Sequence, residues 1–421
     1  MATWIKHSHP FPTIREFFEV GYHRLRRLLS TSVSVISLIW GVYEFPRHGV
    51  TGIFIINSVL FVASTFSTLK QISTLRSITI DTQNAVITSL DPADLLSLSV
   101  SPNLLKIGYE LLCEHGRPFL TNRVLNQALV DGLDAELEIN RIGFDLNSIH
   151  ESVREKLINA KRTSGALIFD GAKVRMCHDL QLNDDSLKKV SLERTSYFCT
   201  LLTNDSVNSE VILSRRHTPI FSGRETCFPH ALIPPLSESD ASNQIGASTL
   251  AITSDGFLVI MTNGPRSAIA NGKMTSSGSG SSDWKDLDAD LGLRLFIERT
   301  ATRELTEELG IQHSDIKSFG IIGYGRFIDR GGKPEFFCLT RLSVDRGQIS
   351  VSKPEKKFMQ ISELYELDKA ISPGLALQKA AKNLMDNYEL NLSNSLFWNL
   401  KLISMAEQSV IDAVLGSSHH Q

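Results

Sequence analysis

The sequence predicts an α/β fold over its C-terminal half, preceded by a smaller mixed α+β region and an N-terminal pair of apolar helices. Three observations carry that prediction. Residues 249–253 and 257–262 alternate around Ser254-Asp255-Gly256, which marks a strand pair with a tight turn. Leu291 to Leu309 has helical spacing and stops at Gly310. The residues beyond supply two further strands, Ile316 to Tyr324 and Phe336 to Leu342, and two helices, Pro373 to Tyr388 and Ser393 to Leu415.

Length and charge bound the function. A chain of 421 residues holds two or three domains, and the expected division is 1–76, 77–241 and 242–421. The net charge of −3 gives no basic footprint, so nucleic acid is not an expected partner. Five scattered cysteines, Cys113, Cys177, Cys199, Cys227 and Cys338, lack paired metal-ligand spacing and suit reduced thiols.

Near the N-terminus, Leu28 to Phe45 and Val50 to Leu69 are apolar arms separated by Pro46-Arg47-His48-Gly49. Each is about long enough to cross a bilayer as a helix. His23, Arg24, Arg26 and Arg27 precede the first arm, and Lys70 and Arg76 follow the second. Positive charge on both outer flanks predicts a two-helix hairpin in the cell membrane, lipid as a partner, and soluble domains in the cytoplasm. Many Ser and Thr residues in the arms leave a buried αα-hairpin as the alternative. Short apolar helices of this kind also pack against copies of themselves, so a homo-oligomer is a possible state.

Between 77 and 185 the spacing predicts a helix from Pro102 to His115, another from Asn147 to Lys161, and a hairpin of Ala166 to Phe169 with Ala172 to Met176 around Asp170-Gly171. The prolines of 187–239 predict a surface connection. A polar loop then runs from Asn263 to Asp283. Its Gly278, Ser279 and Gly280 lack bulk, and the backbone there could approach a ligand closely.

The chemistry concentrates in Arg303-Glu304-Leu305-Thr306-Glu307-Glu308-Leu309-Gly310-Ile311. At about 100° per residue, Glu304, Glu307 and Glu308 share one helix face, opposite Leu305 and Leu309. Three neighbouring carboxylates repel one another unless a hard cation gathers them, and oxygen clusters of this kind suit Mg²⁺ or Mn²⁺. Arg303 lies one turn before Glu307 and can hold it in one rotamer. The alternative is a solvated acidic helix end.

This stretch resembles the defining motif of the Nudix hydrolases, Arg-Glu-apolar-any-Glu-Glu-any-Gly-apolar, at every specified position. The upstream half departs from it, with Ala289 and Leu295 where the family has Gly and Glu. The resemblance implies an α/β/α sandwich with a mixed sheet. It also implies metal-assisted hydrolysis of a nucleoside diphosphate linked to another group, with Glu304, Glu307 and Glu308 as metal ligands or water-activating base and Arg303 orienting them. By the same resemblance Gly278, Ser279 and Gly280 would cradle phosphate, with a flexible linker as the alternative, and Glu335 or Asp329 would add a further acid. Arg326 could meet a phosphate or a base, with an ordinary surface role as the alternative. The departures at Ala289 and Leu295 favour the runner-up, a weak or inactive nucleotide sensor coupled to a membrane hairpin effector.

Overall fold

The computed structural model describes residues 85–140, 142–146, 148–163, 168–183, 186–213, 218–263, 272–288, 290–349 and 359–416. Contacts divide the chain into two compact units, Met1–Asn84 and Ala85–Gln421, and every described residue belongs to the second.

The centre of that unit is a nine-stranded mixed sheet. Its strands are β1 (Glu110–Glu114), β2 (Arg117–Thr121), β3 (Gly246–Ile252), β4 (Phe257–Asn263), β5 (Met274–Thr275), β6 (Gly278–Ser281), β7 (Ile316–Phe327), β8 (Lys333–Leu342) and β9 (Met359–Glu366). The path is β5-β4-β3-β8-β7-β2-β1, with β6 also paired to β3 and β9 to β4. Only β3 and β8 run parallel within it, from Gly246↔Glu335 to Ile252↔Arg341. Among the helices that flank this sheet are α1 (Leu293–Leu309), α2 (Pro373–Tyr388), α3 (Asn394–Met405) and α4 (Gln408–Val414), and the helix Arg123–Val130 packs on β7, where Asn126 accepts from Tyr324 N–H.

Side-chain alternation along β3 sorts the two cores. Ala247 and Ala251 turn toward α1, where Phe296, Ile297, Ala301, Leu305 and Leu309 are buried. Leu250 and Ile252 turn the other way and join Leu377, Leu384, Phe397 and Trp398 of α2 and α3. Helices therefore cover both sheet faces, an α/β arrangement with a mixed sheet. Each fully buried large apolar side chain contributes about 1.5–3 kcal/mol over leaving it in water, which is why these two interfaces dominate the unit.

Local signals place several elements as the sequence predicts. The β3–β4 connection closes through Gly256 N–H donating to Thr253 O at 3.1 Å, with Gly256 at φ +90°. Ser372 and Ser393 cap α2 and α3 by accepting from Leu375 and Leu396 backbone N–H groups. The last helix breaks in two, because Ala406 and Glu407 adopt extended backbone between α3 and α4.

Other expectations are corrected. The helix predicted from Pro102 to His115 is one short helix, Pro102–Lys106, followed by β1, whose partner β2 links it to β7 of the central sheet. Of the hairpin expected between 166–169 and Ala172–Met176, residues 166 and 167 lie outside the described residues. Ala172–Met176 pairs antiparallel with Val190–Ser196, which also lies parallel to Leu137–Asn140. Ala172–Met176 is further tied to the central sheet by Val174 N–H to Ser282 O at 3.2 Å and Ile245 N–H to Val174 O at 3.0 Å. Residues on both sides of 241/242 contribute strands to the central sheet.

The membrane expectation is corrected as well. The arms 28–45 and 50–69 lie outside the described residues. Among the described residues no helix is long and apolar enough to cross a membrane. The longest, α1, has 17 residues and carries charge along its length, short of the roughly 20 apolar residues a crossing needs. A membrane location has no support in the described structure.

Candidate active site

The candidate site is the C-terminal half of α1 and the strand beneath it. The helix begins without a side-chain cap of its own. Its first N–H groups are met from a distance, Leu293 N–H by Ala135 O and Arg294 N–H by Asp134 Oδ1, both at 2.8 Å. It ends at Gly310, which takes the left-handed conformation at φ +67° while its N–H returns to Thr306 O.

Below the helix, β6 lies antiparallel to β3 with Gly280 opposite Ala247 and Ser279 opposite Ser248. Its glycines set the spacing. A Cβ on Gly278 would fall 2.8 Å from the backbone N and Cα of Leu305, and one on Gly280 would fall 2.1 Å from Glu304 Cδ. Glycine at both positions therefore lets α1 settle directly on the strand. Ser279 N–H donates to Glu308 Oε2 at 3.3 Å, and Ser279 Oγ lies 3.0 Å from Ser248 Oγ.

The structure thus brings Gly278, Ser279 and Gly280 against Glu304 and Glu308. The space the glycines leave is filled by α1, and both donors of Ser279 are engaged within the protein.

Glu304 is 8% exposed and Glu308 3%, while the Glu307 side chain is 35% exposed. Arg303 organises their surroundings. Its Nε and Nη2 donate to the two oxygens of Asp286 at 2.9 Å each, Nη2 also reaches Ser281 O at 3.0 Å, and Nη1 donates to Glu304 Oε1 at 2.7 Å. Glu307 and Asp283 stand farther from Nη1, at 3.8 and 3.7 Å. Burial by itself would lower the affinity of the Arg303 guanidinium for its proton, but Asp286, Glu304 and Asp283 outweigh it and fix the positive charge more firmly. Burial would likewise raise the Asp283 carboxyl, yet Lys173, Arg303 and Lys285 hold it below its usual range.

Asp283, Asp286 and Lys173 did not stand out in the sequence as site residues. The available signal is Asp283-Trp284-Lys285-Asp286, an acid-to-acid spacing of three that forms a reciprocal capping box. Lys173 has no such local signal, because it arrives from a strand 110 residues away.

Other candidates fall elsewhere. Arg326 is 1% exposed and engaged internally: it donates to Asp179 Oδ1 at 3.0 Å, Pro234 O at 2.9 Å and Gly332 O at 3.0 Å. Glu335 is paired with Lys333 at 2.6 Å and accepts from Ser248 Oγ at 2.7 Å, on the strand face opposite α1. Asp329 is bonded by the Asn394 side-chain amide near the end of β7. Leu295 is an exposed apolar residue, and Ala289 lies outside the described residues. A cavity of about 380 Å³ lined by Asp134 to Leu137 and Asp290 to Gly292 sits at the start of α1, about three turns from Glu304.

Among the described residues no group of three or more His, Cys, Asp or Glu side chains stands in an arrangement that holds a metal ion. Comparison with known proteins returns no matching family model and no matching curated protein.

Proposed function

We propose that this chain is a Nudix-type hydrolase, folded as the α/β/α sandwich of that family, that cleaves a nucleoside diphosphate linked to another group. Glu304, Glu307 and Glu308 would hold a divalent cation, Mg²⁺ or Mn²⁺. The observation that carries the reading is the pairing of the buried Arg303–Glu304 contact with Glu307 and Glu308 on the same helix face, directly over a glycine strand. Three carboxylates on one face of α1 are the kind of oxygen donors a hard cation takes, and the reading requires them to draw together around it, because among the described residues they are not arranged to hold one.

A bound cation supplies charge neutralisation and a more acidic water. The protein's own part follows from its geometry. Asp286 fixes Arg303, and Arg303 holds Glu304 Oε1, so one carboxylate is set before any ligand arrives. Glu307, the most exposed of the three acids, would accept a proton from attacking water. Glu308 is held by the Ser279 backbone, at the side of the cluster nearest β6.

A second reading, nucleotide binding without cleavage, is favoured by two observations. Leu295 supplies no carboxylate, and the three acids do not converge in the described arrangement. Incubating the purified chain with nucleoside triphosphates, sugar nucleotides, dinucleotides and nucleotide coenzymes, with Mg²⁺ or Mn²⁺, separates the two. Release of a monophosphate supports the hydrolase. Saturable binding with the compound recovered intact supports the sensor, and neither outcome with any compound overturns both.

A further inference from the structure

His150 occupies an apolar position. In the helix Ser148–Thr163, Val153 follows it by three residues and Leu157 by a further four, the spacing of one buried stripe. The residue is 2% exposed, and its ring meets Phe221 edge-on with centroids 5.5 Å apart. Phe221 belongs to an antiparallel three-stranded sheet of Ala85–Ser89, Ser209–Leu213 and Thr218–Ser222. Val153, Leu157, Phe221, Ala85, Val211 and Leu202 form one apolar cluster there, separate from both cores of the central sheet.

A proton on that ring is costly for two reasons. The imidazolium loses water among apolar side chains, and His150, the third residue of its helix, stands at the end whose dipole repels a cation. Burial holds the imidazole below its ordinary range, ahead of Asp240 and Glu151, which pull the other way. Arg154, one turn on, is paired with Glu151 at 2.9 Å. Thr218–Ser222, Ala85–Ser89 and Tyr197–Leu202 bring no Asp, Glu, Lys or Arg, and Ser209–Leu213 brings only Glu210, next to the inward Val211.

We infer that His150 is a proton-operated latch: protonation of its imidazole loosens the helix Ser148–Thr163 from the sheet that carries Phe221, while the central sheet stays closed. The sign follows from linkage. A neutral form that folding favours gives its full stability above the ordinary histidine range, about pH 6.5, and loses it as the pH falls below. The opening is local because the cluster around Val153 shares no residue with the cores beneath α1, α2 and α3. The latch is independent of the chemistry at α1.

Hydrogen exchange of the full chain, read by mass spectrometry at about pH 7.5, 6.5 and 5.5 and corrected for the intrinsic exchange rate, tests this. Protection of residues 150–163 is expected to fall below about pH 6.5 by up to about tenfold per pH unit, the limit for one proton, with β3 and β8 unchanged. His150→Phe keeps an aromatic ring without a titrating nitrogen, and His150→Gln replaces it with a neutral amide. Either variant, once folded, is expected to hold constant protection across the same range. Wild-type protection that does not change with pH overturns the inference, whatever the variants do. A fall shared equally by β3 and β8 overturns it too, as does the same fall in a His150→Phe or His150→Gln chain.

Discussion

Gly280 and Glu304 touch across the interface of strand and helix: the space where a Cβ on residue 280 would stand already holds the Glu304 carboxylate, 2.1 Å away. The acid is therefore positioned from two sides, by Arg303 and by the missing side chain beneath it.

Two substitutions probe that seat. Gly278→Ala meets the backbone of Leu305, which cannot swing aside, so it is expected to cost about 1–3 kcal/mol as overpacking does in a filled core. Gly280→Ala meets the end of a side chain, so Glu304 turns away and stability falls by less. Urea unfolding midpoints should rank Gly278→Ala below Gly280→Ala, whereas turnover per folded molecule should fall in both.

Arg326 gives the opposite pattern. Its partner Asp179 is buried with it, their side chains 1% and 3% exposed, so Arg326→Met strands a carboxylate inside the protein. Removing one partner of a buried pair costs about 3–5 kcal/mol. A lower unfolding midpoint with unchanged turnover of the remaining folded protein is expected, and adding Asp179→Leu should restore part of the stability. A change in substrate affinity without loss of stability would instead place Arg326 in ligand contact.

Asp329 predicts a pH effect. Burial raises its carboxyl above the ordinary range, only partly offset by Arg330 and Asn394, and Oδ1 has no hydrogen-bond partner. An acid whose folded value is raised binds its proton more tightly in the folded state. Its contribution is thus full below the unfolded carboxylate range and is lost as pH rises through the folded value. Asp329→Asn removes that loss. Melting temperatures of wild type and variant should diverge in the variant's favour between acidic and neutral pH; parallel curves would show that the buried carboxyl carries no such penalty.

What could be read in the sequence was what short-range chemistry determines. Gly310 stops α1 and Gly256 closes the β3–β4 turn, because each signal and its effect lie within four residues. The acidic face of α1 was legible for the same reason. Pairings between distant residues were not. The spacing of 102–115 suits a helix, yet β1 pairs with β2, which reaches β7 from far along the chain, and Ala172–Met176 pairs with the more distant Val190–Ser196. Glycines 278 and 280 showed that something approaches closely, but not that a helix does. Asp286, the main anchor of Arg303, stayed hidden because its meaning depends on where residue 303 comes to rest.

The central claim is that the acids on α1 act on a diphosphate through a divalent cation. Its most direct test is the turnover of Glu307→Gln/Glu308→Gln with Mg²⁺ on a compound the wild-type chain cleaves. The account predicts that hydrolysis disappears while circular dichroism is unchanged. Hydrolysis at the wild-type rate in that variant would contradict it.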